Sequence, residues 1–342
     1  MFILDFPIEP IETRYSKQWH RWFLEAFKRW NIPYETLFIP NYDFPPSTIS
    51  SSEFLDPNVT FGWKFTQLRK AVSLLSMAGP KESTVVCFLH DAWFPGIESL
   101  KYVAEMRGIN LKIVGFWHAG SYLSNDLLGI KGFHKWVKGS ECTWFRMCDA
   151  ICVGSQYHKE RMLASLGWID KDADKVHVTG YPIEVPDIQC EKENIVVWPH
   201  RIAEDKHPEL FDRLAWQFQG SNWKFIKSKE VCETKNEYYR LLARSKIAVS
   251  TATMETFGIA MVEAACLGCM CLVPDDLCYP EIHPQYSLCK DISDMEYQLG
   301  AYMAQMERGY IGVSTKNILR KKYHQETVTD RICEIIKEVG CG

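Results

Sequence analysis

The sequence predicts an α/β protein built from two Rossmann-like, doubly wound domains facing each other across a cleft. Two observations carry that expectation. Short β-branched or apolar runs alternate with helix-length segments along almost all of the 342 residues, and the alternation restarts after the Pro-containing stretch Tyr181-Pro-Ile-Glu-Val-Pro-Asp187. Strands of a parallel sheet are covered on both faces, so they read as continuous apolar runs, and each needs a crossover helix to reach the next. In the first series the runs at 2–6, 35–39, 84–90, 111–117, 150–154 and 175–179 are expected strands. Helical periodicity fills 15–30, 64–77, 96–106, 131–147 and 156–166 between them. In the second series strands are expected at 194–198, 223–227, 246–250 and 270–273, with helices at 208–218, 236–243, 257–267 and repeatedly from 291 onward. A chain of this length exceeds a typical single core, and the domains are placed at 1–187 and 188–322. Ligands of such sheets bind beyond the C-terminal strand ends.

Composition removes several classes. Apolar residues make up 46% and charged residues 24%, ordinary for a globular enzyme. No run reaches the roughly 18 apolar residues of a membrane span, and Met1–Phe6 reads as a first strand rather than a signal peptide. The expectation is a cytoplasmic protein with no membrane partner. Thirteen cysteines without framework spacing read as reduced, buried thiols. Cys266, Cys269 and Cys271 offer three thiols and no fourth ligand, so they are expected to pack and no metal is assigned. The formal net charge of −4 gives no global basic footprint for nucleic acid, which leaves local patches to be judged one by one.

The most informative stretch runs from Ser250 to Gly268 and contains Glu255-Thr256-Phe257-Gly258 and Glu263. It reads as a strand end, a short loop and a helix beginning near Thr256 or Phe257. The opening amides of that helix are unpaired and carry the positive end of the dipole, which suits a diphosphate. Gly258 removes a side chain where a ligand can approach. Glu263 lies about two turns beyond Glu255, so both are expected toward one end of the cleft. By spacing alone, two glutamates on a helix also describe a solvated face.

Glu255-x-Phe257-Gly258-x-x-x-x-Glu263-Ala264 resembles the signature of family-four-type retaining glycosyltransferases with the GT-B fold. Upstream, Trp198-Pro-His-Arg201-Ile-Ala-Glu-Asp-Lys206 falls where that family carries an Arg and a Lys after the first strand of its donor domain. The resemblance spans about 194–283. It implies that Arg201 and Lys206 clamp the donor diphosphate, that Glu255 contacts the transferred sugar, and that Glu263 holds the ribose. It also implies that 323–342 form a helix crossing back to the first domain. Arg supplies planar paired donors and Lys a point charge.

The N-terminal half holds the acceptor candidates. Trp19, Trp22, Phe23, Ala26, Phe27 and Trp30 recur at helical spacing and read as core. His118 and Asp91 follow predicted strands. His118 either hydrogen-bonds the donor sugar and stabilises its developing positive charge or is a satisfied structural residue. Asp91 either orients or deprotonates an acceptor hydroxyl or serves as a turn or N-cap residue.

Residues 8–19, 91–98, 118–122 and 154–158 resemble phage glycosyltransferases that decorate hydroxymethylated pyrimidines in DNA. Trp198-Pro-His-Arg201 and Tyr279-Pro-Glu-Ile282 are similar to the queuosine-tRNA mannosyltransferase. The resemblances imply a retaining, metal-independent transferase without a cofactor. It would take a nucleotide sugar, UDP-glucose by default, and act on 5-hydroxymethylcytosine in DNA, in the host cytoplasm if phage-encoded, with tRNA as the alternative acceptor. A non-catalytic nucleotide-sugar or DNA-binding protein is the reading from a different class. Arg14, Tyr15, Trp93, Lys135 and Trp136 are the candidate acceptor contacts, with Lys131 and Lys138 beside them. A duplex base must leave its stack to be modified, so an apolar wedge is expected among Trp93, Phe94 and Trp136.

Overall fold

A computed structural model describes residues 1–9, 15–39, 57–77, 84–167, 170–309 and 315–342. They form two compact units: 1–180 together with 326–342, and 181–325. Each holds one parallel sheet.

The first sheet contains β1 (Phe2–Phe6), β2 (Tyr34–Thr36), β3 (Val85–Leu89), β4 (Leu111–Phe116), β5 (Ala150–Val153) and β6 (Val176–Val178), in the spatial order β2-β1-β3-β4-β5-β6. Every pairing is parallel. All five residues of β3 are buried, as a strand covered on both faces requires. The helix Ser16–Arg29 buries Trp19, Trp22, Phe23, Ala26 and Phe27. Phe23 meets Phe88 and Phe116 at ring-centroid distances of 4.8 and 5.8 Å, so this stripe is core. The helix Gln325–Cys341 also belongs here. Arg331 donates to the Thr179 carbonyl at 2.6 Å, Arg29 pairs with Asp330 at 2.7 Å, and Val328, Ile332 and Ile336 are fully buried.

The second sheet contains β7 (Glu193–Trp198), β8 (Lys224–Lys227), β9 (Ser245–Val249), β10 (Met270–Pro274) and β11 (Leu288–Cys289), ordered β11-β10-β9-β7-β8, again all parallel. β11 has no counterpart among the sequence expectations, because two residues carry no period. The segment 181–187, assigned by composition to the first domain, packs with the second unit. Ile183 N–H donates to the Tyr323 carbonyl at 2.9 Å, Arg320 to the Val185 carbonyl at 2.9 Å, and Tyr239 O–H to the Glu184 carbonyl at 3.3 Å. Its prolines interrupt regular structure, yet its carbonyls find partners on that unit.

The helix expected from Thr256 or Phe257 instead runs Ile259–Cys266, with Gly258 as its N-cap at φ +71°. The chain turns at Gly258 in the left-handed region, which ends helical geometry on its N-terminal side. A Cβ there would sit 2.9 Å from the Tyr279 ring, so both backbone and neighbour require glycine. Among the described residues no helix is long and apolar enough to cross a membrane.

Candidate functional site

β7 and β9 are neighbours in the second sheet, so the loops leaving their C-terminal ends run side by side. Thr251, two residues past β9, fastens them. Its hydroxyl accepts from the Trp198 indole N–H at 2.9 Å and lies 2.7 Å from the Lys206 carbonyl. Thr253 N–H donates to the Asp205 carbonyl at 3.0 Å.

This brings Glu255, on the loop after β9, together with Arg201, Asp205 and Lys206 on the loop after β7. Lys206 Nζ lies 2.9 Å from Glu255 Oε1 and 3.0 Å from Asp205 Oδ2, and it donates to the Met254 carbonyl. Arg201 Nη2 contacts both Asp205 oxygens at 2.9 Å. Lys206 and Asp205 are each only 7% exposed, so a solvated-surface reading of Lys206 does not hold, while Arg201 is half-buried. One buried carboxylate thus holds two cations in register, with Glu255 as a second carboxylate on the ammonium. Such a cluster holds its cations in fixed positions, with the three ammonium donors of Lys206 taken by Asp205, Glu255 and the Met254 carbonyl. His200 is buried beside it, with Nδ1 3.8 Å from Glu255 Oε1. Burial first, then the Lys206 charge, drives its pKa down to about 3, so it is neutral.

Glu263 does not share this neighbourhood. Its carboxylate is buried, accepts from Lys235 Nζ at 2.7 Å and from Tyr239 O–H at 3.1 Å, and meets the helix Lys235–Arg244. The turn at Gly258 lies between Glu255 and Glu263, so Glu255 precedes the helix and helical spacing does not relate the two. The Phe257 side chain is core, packed on Tyr181 and Tyr323 at 5.0 and 4.9 Å, and Thr256 is buried. What these two residues offer a ligand is backbone. Cys269 donates to the Leu242 carbonyl at 3.1 Å and Cys271 to the Met261 carbonyl at 3.6 Å, and burial pushes the Cys269 thiol up to about 11. These sulfurs are protonated packing groups.

In the first unit His118 follows β4. Its Nε2 lies 2.7 Å from the His90 carbonyl, which can only accept, so Nε2 carries the proton and Nδ1 accepts from Tyr15 O–H at 3.3 Å. Tyr15 and Trp19 lie against the imidazole at 5.7 and 5.3 Å. Tyr15 thus supports His118, and Arg14 lies outside the described residues. Asp91 receives Lys64 Nζ at 2.7 Å on one oxygen and the Trp93 N–H at 3.1 Å on the other. The latter is a turn contact, and Lys64 is itself buried.

Two of the three wedge candidates are committed to packing. The Trp93 indole N–H donates to Glu141 at 2.9 Å and its ring meets Trp144 at 5.1 Å, while Phe94 is 2% exposed against Phe6. Local sequence gave no sign of these partners, which lie far away along the chain. Trp136 is 67% exposed, and Lys135 beside it is exposed too.

No protein-family model matches the chain. Among proteins of described activity, it is 33% identical to the tRNA-queuosine alpha-mannosyltransferase of Drosophila melanogaster over an alignment spanning 27% of this chain and 31% of that protein. The chain therefore matches less than a third of that relative's length. Among solved structures it resembles sucrose-phosphate synthase from Thermosynechococcus elongatus at a TM-score of 0.69, with 11% identity and 99% and 98% of the two chains covered. The trehalose-phosphate synthase of Burkholderia vietnamiensis gives a TM-score of 0.59 at 12% identity, with 98% and 99% covered. The fold is GT-B. At these identities the structural likeness carries architecture, and the chemistry must come from the residues.

Asp205, His200, Lys235, Tyr239 and Glu141 had no assigned role in the sequence. Asp205 alone left a local signal: it stands four residues after Arg201, the spacing of a one-turn ion pair. Glu141 is fully buried, and besides Trp93 it accepts from Ser121 N–H at 2.8 Å and Ser121 O–H at 2.6 Å. It thereby fixes the loop that follows His118.

Burial holds three histidines neutral: His158 and His200 at about 3 and His283 at about 4, each with desolvation as the largest cause. Their folded pKa values lie below the unfolded value near 6.5, so the unfolded chain binds more protons between the two. The stability they contribute is complete above about pH 6.5 and is lost as pH falls toward 4 and below. Melting temperature should drop steadily over that range, with calorimetry in buffers of different ionisation heat registering proton uptake on unfolding. A flat profile from pH 7 to 4 would show that these rings are protonated in the folded state.

Proposed function

We propose that the protein is a metal-independent, retaining glycosyltransferase that carries a sugar from a nucleoside-diphosphate donor to a hydroxyl on a nucleic acid. The observation that supports it best is the Arg201–Asp205–Lys206–Glu255 cluster at the C-terminal ends of β7 and β9. In this reading Arg201 and Lys206 take the diphosphate with the amides that open the helix Ile259–Cys266. Glu255 meets the transferred sugar, and Glu263, positioned by Lys235 and Tyr239, receives the ribose hydroxyls. The acceptor hydroxyl attacks the face that the diphosphate leaves, and a phosphate oxygen takes its proton. The protein supplies position and charge stabilisation rather than a covalent nucleophile. In this reading His118, its proton held on Nε2 by the His90 carbonyl, is the first unit's candidate catalytic residue.

The acceptor we favour is 5-hydroxymethylcytosine in DNA, on the strength of the N-terminal segments, with UDP-glucose as the first donor to try. Queuosine in tRNA is the second reading, favoured by the 33% identical stretch shared with the Drosophila enzyme. Incubation with hydroxymethylated DNA or queuosine tRNA over a panel of nucleotide sugars, with chelator present, reads the acceptor and donor from the mass added. No mass gain and no donor hydrolysis across the panel would leave a binding protein instead. Arg201→Ala is expected to weaken nucleoside-diphosphate binding about tenfold or more, the loss of one charged hydrogen-bonding partner. Unchanged donor affinity in a titration would remove Arg201 from the clamp.

A further inference from the structure

We propose that the surface of the first unit around Trp136, with Lys131, Lys135 and Lys138, is a docking surface for nucleic acid, the indole stacking on an unpaired base and the lysines meeting the flanking phosphates. The proposal rests on the nucleic-acid reading of the acceptor and deepens it by naming where the strand is held. An exposed tryptophan is the first observation, since Trp is highly buried on average. Here it is 67% exposed, and the half-buried Phe133 ring, 5.5 Å away, supports it from below. Its own helix, His134–Met147, needs it for nothing, because Val137, Trp144 and Phe145 supply the buried face.

Charge is the second observation. Lys131, Lys135 and Lys138 are all exposed, and Lys135 and Lys138 stand one helical turn apart. Between residues 127 and 147 the one acidic side chain is Glu141, which is buried and taken by Ser121 and Trp93. Asp126, just before, is buried at the cap of the helix Leu127–Ile130. On a protein whose net charge is −4, this is a cationic stretch with no exposed carboxylate between residues 127 and 147.

One flat ring among lysines suits a base flanked by phosphates. A membrane-binding helix would turn an apolar stripe outward, whereas here the stripe faces the core and only Trp136 and Ile130 stand outside it.

The test titrates the full chain into a fluorescein-labelled oligonucleotide, single-stranded and duplex, by anisotropy at several salt concentrations. Trp136→Ala is expected to weaken binding about tenfold, with Trp136→Phe recovering most of it. Lys135→Glu with Lys138→Glu is expected to lower affinity and to flatten the salt dependence by about two phosphate contacts. Melting temperatures should match the parent, since these side chains are exposed. Parent-like binding and salt slope in both variants would overturn the proposal. So would preferential binding to phosphatidylglycerol vesicles that the variants lose. Donor hydrolysis by the parent chain is scored separately, so an inactive protein that still binds oligonucleotide through Trp136 would defeat the transferase reading and leave this one standing.

Discussion

Lys206→Ala should give the largest combined loss of activity and stability of any single substitution in the second unit. The ammonium is 7% exposed and serves Asp205, Glu255 and the Met254 carbonyl at once. Removing it leaves two carboxylates near one another with only the half-exposed Arg201 to balance them. Breaking a buried ion pair from one side costs about 3–5 kcal/mol, mostly the penalty of the charge left behind. Loss of an oriented cation at a site of developing charge costs a further 10²–10³ in rate, on the order of 3–4 kcal/mol of transition-state stabilisation. Denaturant unfolding and donor hydrolysis therefore report separate quantities. Adding Asp205→Asn to Lys206→Ala relieves the uncompensated charge, so part of the stability should return while turnover stays low. A double variant that regains turnover along with stability would show that the lysine acts on the fold and not on the reaction.

Much of this site's framework was legible in the sequence, and the reason is local. β3 is buried throughout and reads as an unbroken apolar run, and β1, β4 and β7 carry apolar runs interrupted by Asp5, by Lys112 and by Glu193 with Asn194. The helix Gln156–Leu166 announces itself by Ser155, whose side chain accepts from the His158 amide. Arg201, Lys206 and Glu255 came into view through motif order, and the structure adds what motif order omits, the carboxylate of Asp205 that binds them into one cluster. What local sequence leaves out has a different cause. Trp93 looks like a free aromatic until Glu141, 48 residues away, takes its indole N–H, and Asp91 looks like a free base until Lys64 covers one oxygen. Glu255 and Glu263 read as two positions of one helix until Gly258 starts that helix after Glu255. Periodicity and spacing describe neighbours along the chain, whereas a buried polar group is defined by whichever distant residue satisfies it.

Glu255→Gln is the sharper test of chemistry, because it changes charge and almost nothing else. The amide keeps the shape of the carboxyl, and Lys206 retains Asp205 and the Met254 carbonyl, so stability should fall by only about 1 kcal/mol. Turnover should fall 10²–10³-fold, because a carboxylate lost opposite a sugar acquiring positive charge removes stabilisation that matters most in the transition state. Nucleoside-diphosphate affinity should change little, since the phosphate-facing cations remain. That division, kcat down with donor binding intact, is the opposite of the one expected for Arg201→Ala, and the pair together assigns the two ends of the cluster. His200 cannot substitute for the lost carboxylate, because burial holds its pKa at about 3 and a neutral imidazole carries no negative charge. Glu255→Asp pulls the carboxylate back by one methylene from Lys206 and should recover part of the rate if charge is what counts. Product formation by Glu255→Gln within a factor of two of the parent would move the sugar contact elsewhere, and the cluster would then be a diphosphate clamp alone.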